Sequence, residues 1–309
     1  MRPVQSPLVR GLKKAPTGIT GFDEITGGGL PLGRTTLLVG GPGSGKTILA
    51  LQFLVHGAQA CKEPGIFVAF EESSKRIVAN AESFGWKLAE LRRKKLHFVD
   101  VPPIPDLIQS GNFDLSGMLA ALEAQITEVG ARRIVFDALD IALALLPDLA
   151  AKRREVYRLH EWLLARELTG VVTSKAGGDD TRSISQESFG FMQFMVDCCV
   201  ILNHSVVQGV SQRNLRVQKY RGTSFDEDQS PFVIGTSGIE VAVARTLGYV
   251  GVTGSAELFL ARVKTLAKEH GARCVVIDPL SILAKSGNEL TAHSVAERLI
   301  DWSKAGGAA

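Results

Sequence analysis

The run Gly40-Gly41-Pro42-Gly43-Ser44-Gly45-Lys46-Thr47 satisfies the spacing GxxxxGK[ST] in full. Glycines in this arrangement let backbone N–H groups turn inward on phosphate oxygens, the lysine reaches the β- and γ-phosphates, and the hydroxyl after it is placed to ligate Mg²⁺. The spacing predicts that Gly41, Pro42, Gly43, Ser44 and Gly45 cradle the phosphates of a nucleoside triphosphate, with Lys46 on the outer phosphates and Thr47 on the metal. Cleavage of such a ligand asks for two further carboxylate roles. One completes the magnesium shell: Asp137, closing Arg133-Ile134-Val135-Phe136, is expected at the carboxyl end of a strand next to the phosphate loop. A lone strand-ending Asp is often only a turn former or helix cap; the company of Lys46 and Thr47 favours the metal role. The other carboxylate must orient and deprotonate water. Glu71 and Glu72 follow Phe67-Val68-Ala69-Phe70, and ligands gather at the carboxyl ends of strands in an open parallel sheet. Both could instead only favour the N-terminus of a helix starting near Ser73, and the sequence leaves open which of the two would take the proton of water.

The elements that would hold these residues can be read as well. Thr35 to Val39 reads as a buried strand and Ile48 to Ala60 as an apolar-faced helix, so the helix N-terminus would add partial positive charge at the phosphates. Strand-like runs recur at Ile66 to Phe70, Leu96 to Val99, Arg133 to Phe136, Gly170 to Thr173 and Cys198 to Leu202, with helical patterns at 48–60, 73–84, 115–129 and 150–168. This alternation predicts an α/β fold, a mostly parallel twisted sheet with helices on both faces. From Arg213 to Val243 the apolar residues alternate between glycines instead, which predicts antiparallel hairpins at one sheet edge.

Composition narrows the class further. A 309-residue chain with 45% hydrophobic residues has an ordinary globular make-up. Its net charge of +3 and pI near 8.7 give no overall electrostatic case for nucleic acid as a partner. Four cysteines (Cys61, Cys198, Cys199, Cys274) lack CxxC spacing, which argues against a zinc or disulfide framework. No apolar run has the length of a signal peptide or a bilayer span, so the expectation is a cytoplasmic protein without a membrane segment. Arg92-Arg93-Lys94-Lys95 reads as the solvated end of a helix.

Several motifs together resemble the KaiC family within the RecA-like ATPases. They are Gly18-Ile19-Thr20-Gly21-Phe22-Asp23 with Gly27-Gly28-Gly29-Leu30-Pro31, Phe70-Glu71-Glu72, Ser83-Phe84-Gly85-Trp86, Phe136-Asp137, and Lys219-Tyr220-Arg221-Gly222-Thr223, in addition to the phosphate loop. The resemblance implies a RecA-like P-loop fold that binds ATP and Mg²⁺ and hydrolyses ATP slowly. It also implies a hexameric ring, a homo-oligomer with ATP at each subunit boundary, acting as a signalling or timing switch toward a protein partner. In such a ring Lys219 and Arg221 would reach across the boundary to the neighbour's γ-phosphate, where fixed positive charge stabilises the transferring phosphoryl group. On residue type alone they would be solvated cations along an edge strand. In the family's clock member an autophosphorylated Ser-Thr pair lies shortly before a core strand. The matching stretch here, Gly190-Phe191-Met192-Gln193-Phe194-Met195-Val196-Asp197, has no hydroxyl side chain, which disfavours autokinase activity there; Ser183, Ser185 and Ser188 lie upstream.

The tail carries an internal echo. Gly130-Ala131-Arg132-Arg133-Ile134-Val135-Phe136-Asp137-Ala138-Leu139 is matched by Gly271-Ala272-Arg273-Cys274-Val275-Val276-Ile277-Asp278-Pro279-Leu280. The expected organisation is an N-terminal segment 1–14, a KaiC/RecA-like ATPase domain 15–245, and a partial second KaiC-like domain 246–309 without a phosphate loop, the alternative for this tail being an unrelated helical appendage with a chance strand. Two other functions compete. A RecA/RadA-like DNA-dependent ATPase would need a basic lining, for which Arg153, Arg154, Arg158, Arg182, Arg213 and Arg216 are available, although an aromatic content of 6% leaves few stacking platforms. A non-catalytic nucleotide-binding module would hold ATP without turnover and dock partners through the tail.

Overall fold

The computed structural model describes residues 12–101, 115–175, 184–207 and 210–242, together with residues 264, 297, 298 and 300–302. The chain divides into two compact units, Met1–Val243 and Ala244–Ala309. The sequence echo at 271–280 lies outside the described residues; in the second unit Lys264 Nζ sits 5.9 Å from the centroid of the Trp302 ring.

Along the first unit the elements are β1 (Lys14–Ala15), α1 (Phe22–Ile25), β2 (Leu30–Pro31), β3 (Thr35–Gly40), α2 (Lys46–His56), β4 (Gly65–Ala69), α3 (Ser74–Ala81), α4 (Leu88–Leu91) and β5 (Leu96–Asp100). There follow α5 (Ser116–Val129), β6 (Arg133–Asp137), α6 (Leu139–Ala144), α7 (Leu149–Ala165), β7 (Thr169–Lys175), α8 (Ile184–Met195), β8 (Cys198–Val207), β9 (Val210–Tyr220), β10 (Ser230–Gly235) and β11 (Gly238–Val241). The main sheet has nine strands in the order β11-β10-β9-β8-β3-β7-β6-β4-β5. Strands β8 to β5 in that order are parallel, and β9, β10 and β11 join antiparallel at one edge. This is the α/β architecture expected from the alternation of strand and helix patterns, with its edge hairpins.

The pleat explains why both faces are covered. All six residues of β3 are buried. Successive side chains point to opposite faces, so Leu38 joins the core containing Phe53, Phe67 and Val135, whereas Leu37 and Val39 join the core containing Ile66, Ile134 and Phe136. Helices α2 and α3 cover the first face and α5, α6 and α7 the second. Strands buried on both sides read as near-continuous apolar runs, which is why they stand out in the sequence.

Three features depart from the expectation. The strand carrying Asp137 is one place removed from the phosphate-loop strand, because β7 pairs with both β3 and β6. The helix expected over 48–60 ends at His56 and continues as a single π-helical turn, Gly57–Cys61. There the fully buried Arg133 packs against Gly57, where any Cβ would come within 2.4 Å of its Nε. Arg133 donates from Nε to Glu63 Oε2 (2.6 Å) and from one terminal nitrogen to the carbonyls of Pro16 (2.7 Å) and Phe53 (2.9 Å). Finally, α1, α6 and α8 fall outside the helical patterns of the sequence; α1 and α6 are short elements, α6 following a left-handed residue, and Gly190 interrupts the apolar pattern of α8.

One side chain ties the edge hairpin to the helix behind the phosphate loop. Gln52, buried on α2, accepts a hydrogen bond from Ile239 N (2.8 Å) and donates to Ile239 O (3.3 Å), so its amide mimics a strand partner for β11. Trp86 Nε1 donates to Ser237 O (3.0 Å) beside it. No helix among the described residues is long and apolar enough to cross a membrane.

Candidate active site

Strand β3 delivers the phosphate loop at its carboxyl end. Gly43 (φ +69°) and Gly45 (φ +96°) are left-handed, a region that residues with a Cβ occupy at a cost. Gly45 thereby turns the chain into α2, and its carbonyl receives Leu49 N (2.9 Å). Lys46 folds back along the loop and donates from Nζ to the carbonyls of Gly40 (2.8 Å) and Gly41 (3.0 Å). Burial lowers the Lys46 pKa, and the carboxylates of Asp137, Asp140 and Glu71 oppose that effect. The Ser44 hydroxyl is buried beneath the loop without a hydrogen-bond partner.

Thr47 and Asp137 meet across the sheet. The Thr47 hydroxyl lies 3.1 and 3.3 Å from the two Asp137 oxygens, and Thr173 Oγ1 on the intervening strand β7 donates to Asp137 Oδ1 (2.7 Å). Thr173 in turn accepts from Ala138 N (2.7 Å), holding Ala138 at φ +62°. Asp137 is thus a buried carboxylate fixed by two hydroxyls. Burial raises its pKa above 3.8, and the bonds from Thr173 and Thr47 only partly offset that. Two hard oxygen donors side by side at the mouth of a phosphate loop suit a magnesium ion, which uses few protein ligands.

Glu71 and Glu72 leave β4 in different directions. Glu71 Oε1 pairs with Lys175 Nζ at 2.8 Å, on the side of the phosphate loop. Glu72 turns to its own helix, accepting from Asn80 Nδ2 (3.2 Å) and pairing with Arg76 Nε (3.3 Å). Both lie in the bend between β4 and α3, beyond the pleat of the strand, so each side chain follows its own partner.

Lys219 and Arg221 lie toward the other end of the sheet. In the ladder Lys219 pairs with Cys199, which pairs with Leu37, three residues before Gly40. Lys219 Nζ donates to the carbonyls of Gln193 (2.7 Å) and Phe194 (3.0 Å), and Arg221 donates to Phe194 O (2.7 Å). Both cations therefore cap the C-terminus of α8, where the helix dipole favours them, and neither is directed to the phosphate loop of its own chain. Burial, with Arg221 close by, lowers the Lys219 pKa.

A family model described as "ATPase: KaiC" matches residues 15–246. The chain belongs to the KaiC family of ATPases. Among curated KaiC proteins it is 37% identical over 232 residues to circadian clock protein KaiC2 of Synechocystis sp., covering 74% of this chain and 40% of that one. To the circadian clock oscillator protein KaiC of Parathermosynechococcus lividus it is 38% identical over 235 residues, 75% of this chain and 43% of that one. The chain thus matches less than half the length of these relatives. The crystal structure of a KaiC-like protein from Pyrococcus horikoshii OT3 superposes with a TM-score of 0.65 at 29% identity, covering 75% of this chain and all of the other. The KaiC-family domain is thereby a RecA-like nucleotide-binding ATPase fold, the class its motifs predicted.

Within this KaiC-family site several residues had no motif to announce them. Lys175 ends β7 opposite Gly40, and its backbone N donates to Asp140 Oδ1 (3.2 Å) in the first turn of α6. Arg213, at the extended end of the β8–β9 hairpin, donates from Nε to Gly43 O (3.3 Å). The other arginines considered for a nucleic-acid lining are engaged within the subunit: Arg154 and Arg158 with the buried Glu155, Arg153 over the Phe191 ring, and Arg216 with Glu227 O; Arg182 lies outside the described residues. Cys198 and Cys199 are buried in β8, and burial pushes the Cys199 thiol up to about 11, so both serve as packing rather than as nucleophiles.

Proposed function

We propose that this chain is a Mg²⁺-dependent ATPase of slow turnover that works as a KaiC-like ring, with a hexamer as its assembled form. Its nucleotide state would serve as a signalling or timing switch. The observation that carries the reading is the convergence of Lys46, Thr47, Asp137 and Glu71 at the carboxyl ends of three strands. The switch role is inferred from the curated relatives, which are named as circadian clock proteins.

Lys46 exchanges the Gly40 and Gly41 carbonyls for the outer phosphates of ATP, and the loop N–H groups take the remaining oxygens. Thr47 and Asp137 are the residues that would hold Mg²⁺, which when bound neutralises charge on the β- and γ-phosphate oxygens. Glu71 accepts a proton from water as its oxygen bonds to the γ-phosphorus, and the bond to the ADP oxygen breaks. Glu72 keeps the start of α3 in place. Lys219 and Arg221, set away from the phosphate loop of their own chain, supply the positive charge at a neighbour's γ-phosphate.

Phosphate release under saturating Mg·ATP tests this reading. Lys46→Ala removes turnover, Glu71→Gln lowers it about 100-fold or more, and Glu72→Gln leaves it within a few-fold. Undiminished turnover in Glu71→Gln would refute the assignment of the base, and stimulation by single-stranded DNA that fades with added salt would favour the DNA-dependent alternative.

A further inference from the structure

We propose that Lys175 reads the γ-phosphate: it holds Glu71 in an ion pair when no triphosphate is bound, and yields that carboxylate to water when its ammonium moves to the γ-phosphate. The proposal rests on Glu71 being the base. Its geometry comes from the sheet. Strand β7 lies between the strand of the phosphate loop and the strand of Asp137, and its last residue, Lys175, is in register with Gly40, where the loop begins. The Asp140 carboxylate fixes the backbone there by accepting from Lys175 N (3.2 Å). From this point the side chain crosses over β6 to Glu71 on the far side, with Nζ 2.8 Å from Oε1.

Charge makes this contact exchangeable. Three carboxylates, Glu71, Asp137 and Asp140, act on Lys46 together with Lys175, so both lysine cations and all three acids share one small region. Side chains of Lys175 and Glu71 are 43% and 51% exposed. An exposed ion pair of this kind is weakly held, whereas a triphosphate brings several negative charges to the loop and a charge-assisted contact is the stronger one. The ammonium therefore transfers to a γ-phosphate oxygen. ADP offers no such oxygen, so with ADP the pair to Glu71 persists. In the triphosphate state the freed carboxylate takes one proton from water, the water oxygen bonds to phosphorus, and the β–γ bridging bond breaks to leave ADP. The Glu71 carboxylate is thereby freed only when the γ-phosphate is in place, and Asp140 is a positioning residue for the lysine.

The test compares Mg·ADP with the non-hydrolysable Mg·AMP-PNP in calorimetric titrations of the full chain, for the native protein, Lys175→Met and Lys175→Arg. Lys175→Met is expected to weaken AMP-PNP about tenfold or more while leaving ADP within twofold, with Lys175→Arg retaining the preference for the triphosphate. Equal weakening of both nucleotides, or of neither, overturns the proposal. Glu71→Gln supplies the second arm: with its ion-pair partner gone, the Lys175 ammonium has no competitor, so AMP-PNP tightens severalfold relative to ADP, and adding Lys175→Met abolishes that gain. Unchanged AMP-PNP affinity in Glu71→Gln counts against the exchange. Absence of phosphate release from the native protein would instead sink the hydrolytic reading, and the AMP-PNP to ADP ratio would still decide the fate of Lys175 as a γ-phosphate contact.

Discussion

Asp137 illustrates what burying a carboxylate costs. Its folded pKa is raised by burial, so the neutral form is favoured in the folded state. The stabilising share of that preference is fully present below the ordinary 3.8 and is lost as pH rises from there through the raised value. In the nucleotide-free protein, Asp137→Asn should therefore be more stable than the native chain at pH 7, while hydrolysis falls. A gain of about 1 kcal/mol would raise Tm by roughly 2–4 °C for a domain of this size. Scanning calorimetry across pH 4 to 8 checks it: the difference should shrink toward acid, and a variant less stable than native at pH 7 would refute the account. How much of the site the sequence disclosed follows from chain locality. The phosphate loop is contiguous, so its chemistry is written in one place. The separate paths of Glu71 and Glu72 depend on where Lys175 and Arg76 lie, and Lys175 is an isolated lysine whose importance arises only from its register with Gly40.

At the scale of elements, the strand patterns are the easiest to anticipate because double-sided burial gives each an apolar run, Leu37-Leu38-Val39 in β3, Ile66-Phe67-Val68-Ala69 in β4 and Ile134-Val135-Phe136 in β6. Helix ends and strand order were harder. Nothing local marks the π-helical turn at Gly57–Cys61, and Arg133, which packs against Gly57, comes more than seventy positions further along the chain. Similarly, the placement of β7 between β3 and β6 is a long-range outcome. Gln52 is the comparable case at the sheet edge: a lone polar residue on an apolar helix face, it becomes intelligible once Ile239 is seen to bond both ends of its amide. Gln52→Leu leaves that N–H and C=O without a partner in a buried setting, and each such group costs about 1–3 kcal/mol. Urea denaturation should show a lower midpoint with an unchanged slope; a midpoint equal to that of the native protein would mean the hairpin does not depend on α2.

For the whole molecule, the siting of Lys219 and Arg221 away from their own phosphate loop bears on assembly. A chain with Lys46→Ala offers intact cations but an impaired loop, and a chain with Arg221→Ala offers the reverse. Each alone should hydrolyse little ATP. Mixed and allowed to exchange subunits, the two should regain a fraction of native turnover set by their ratio, because some boundaries would combine both intact halves. Mixing without recovery would place the cations outside the reaction.

Strand β3 also has a consequence for motion. It is hydrogen-bonded on both sides, to β7 and β8, and every one of its residues is buried. Its amides can exchange with solvent deuterium only when the sheet as a whole opens, whereas those of β10 and β11 can exchange through fraying at the edge. The root of the phosphate loop should thus show the slowest exchange in the domain, with or without nucleotide. Binding would then register as slowed exchange in the loop itself and at the outer hairpin, and the central strand would stand as the fixed reference against which those changes are read.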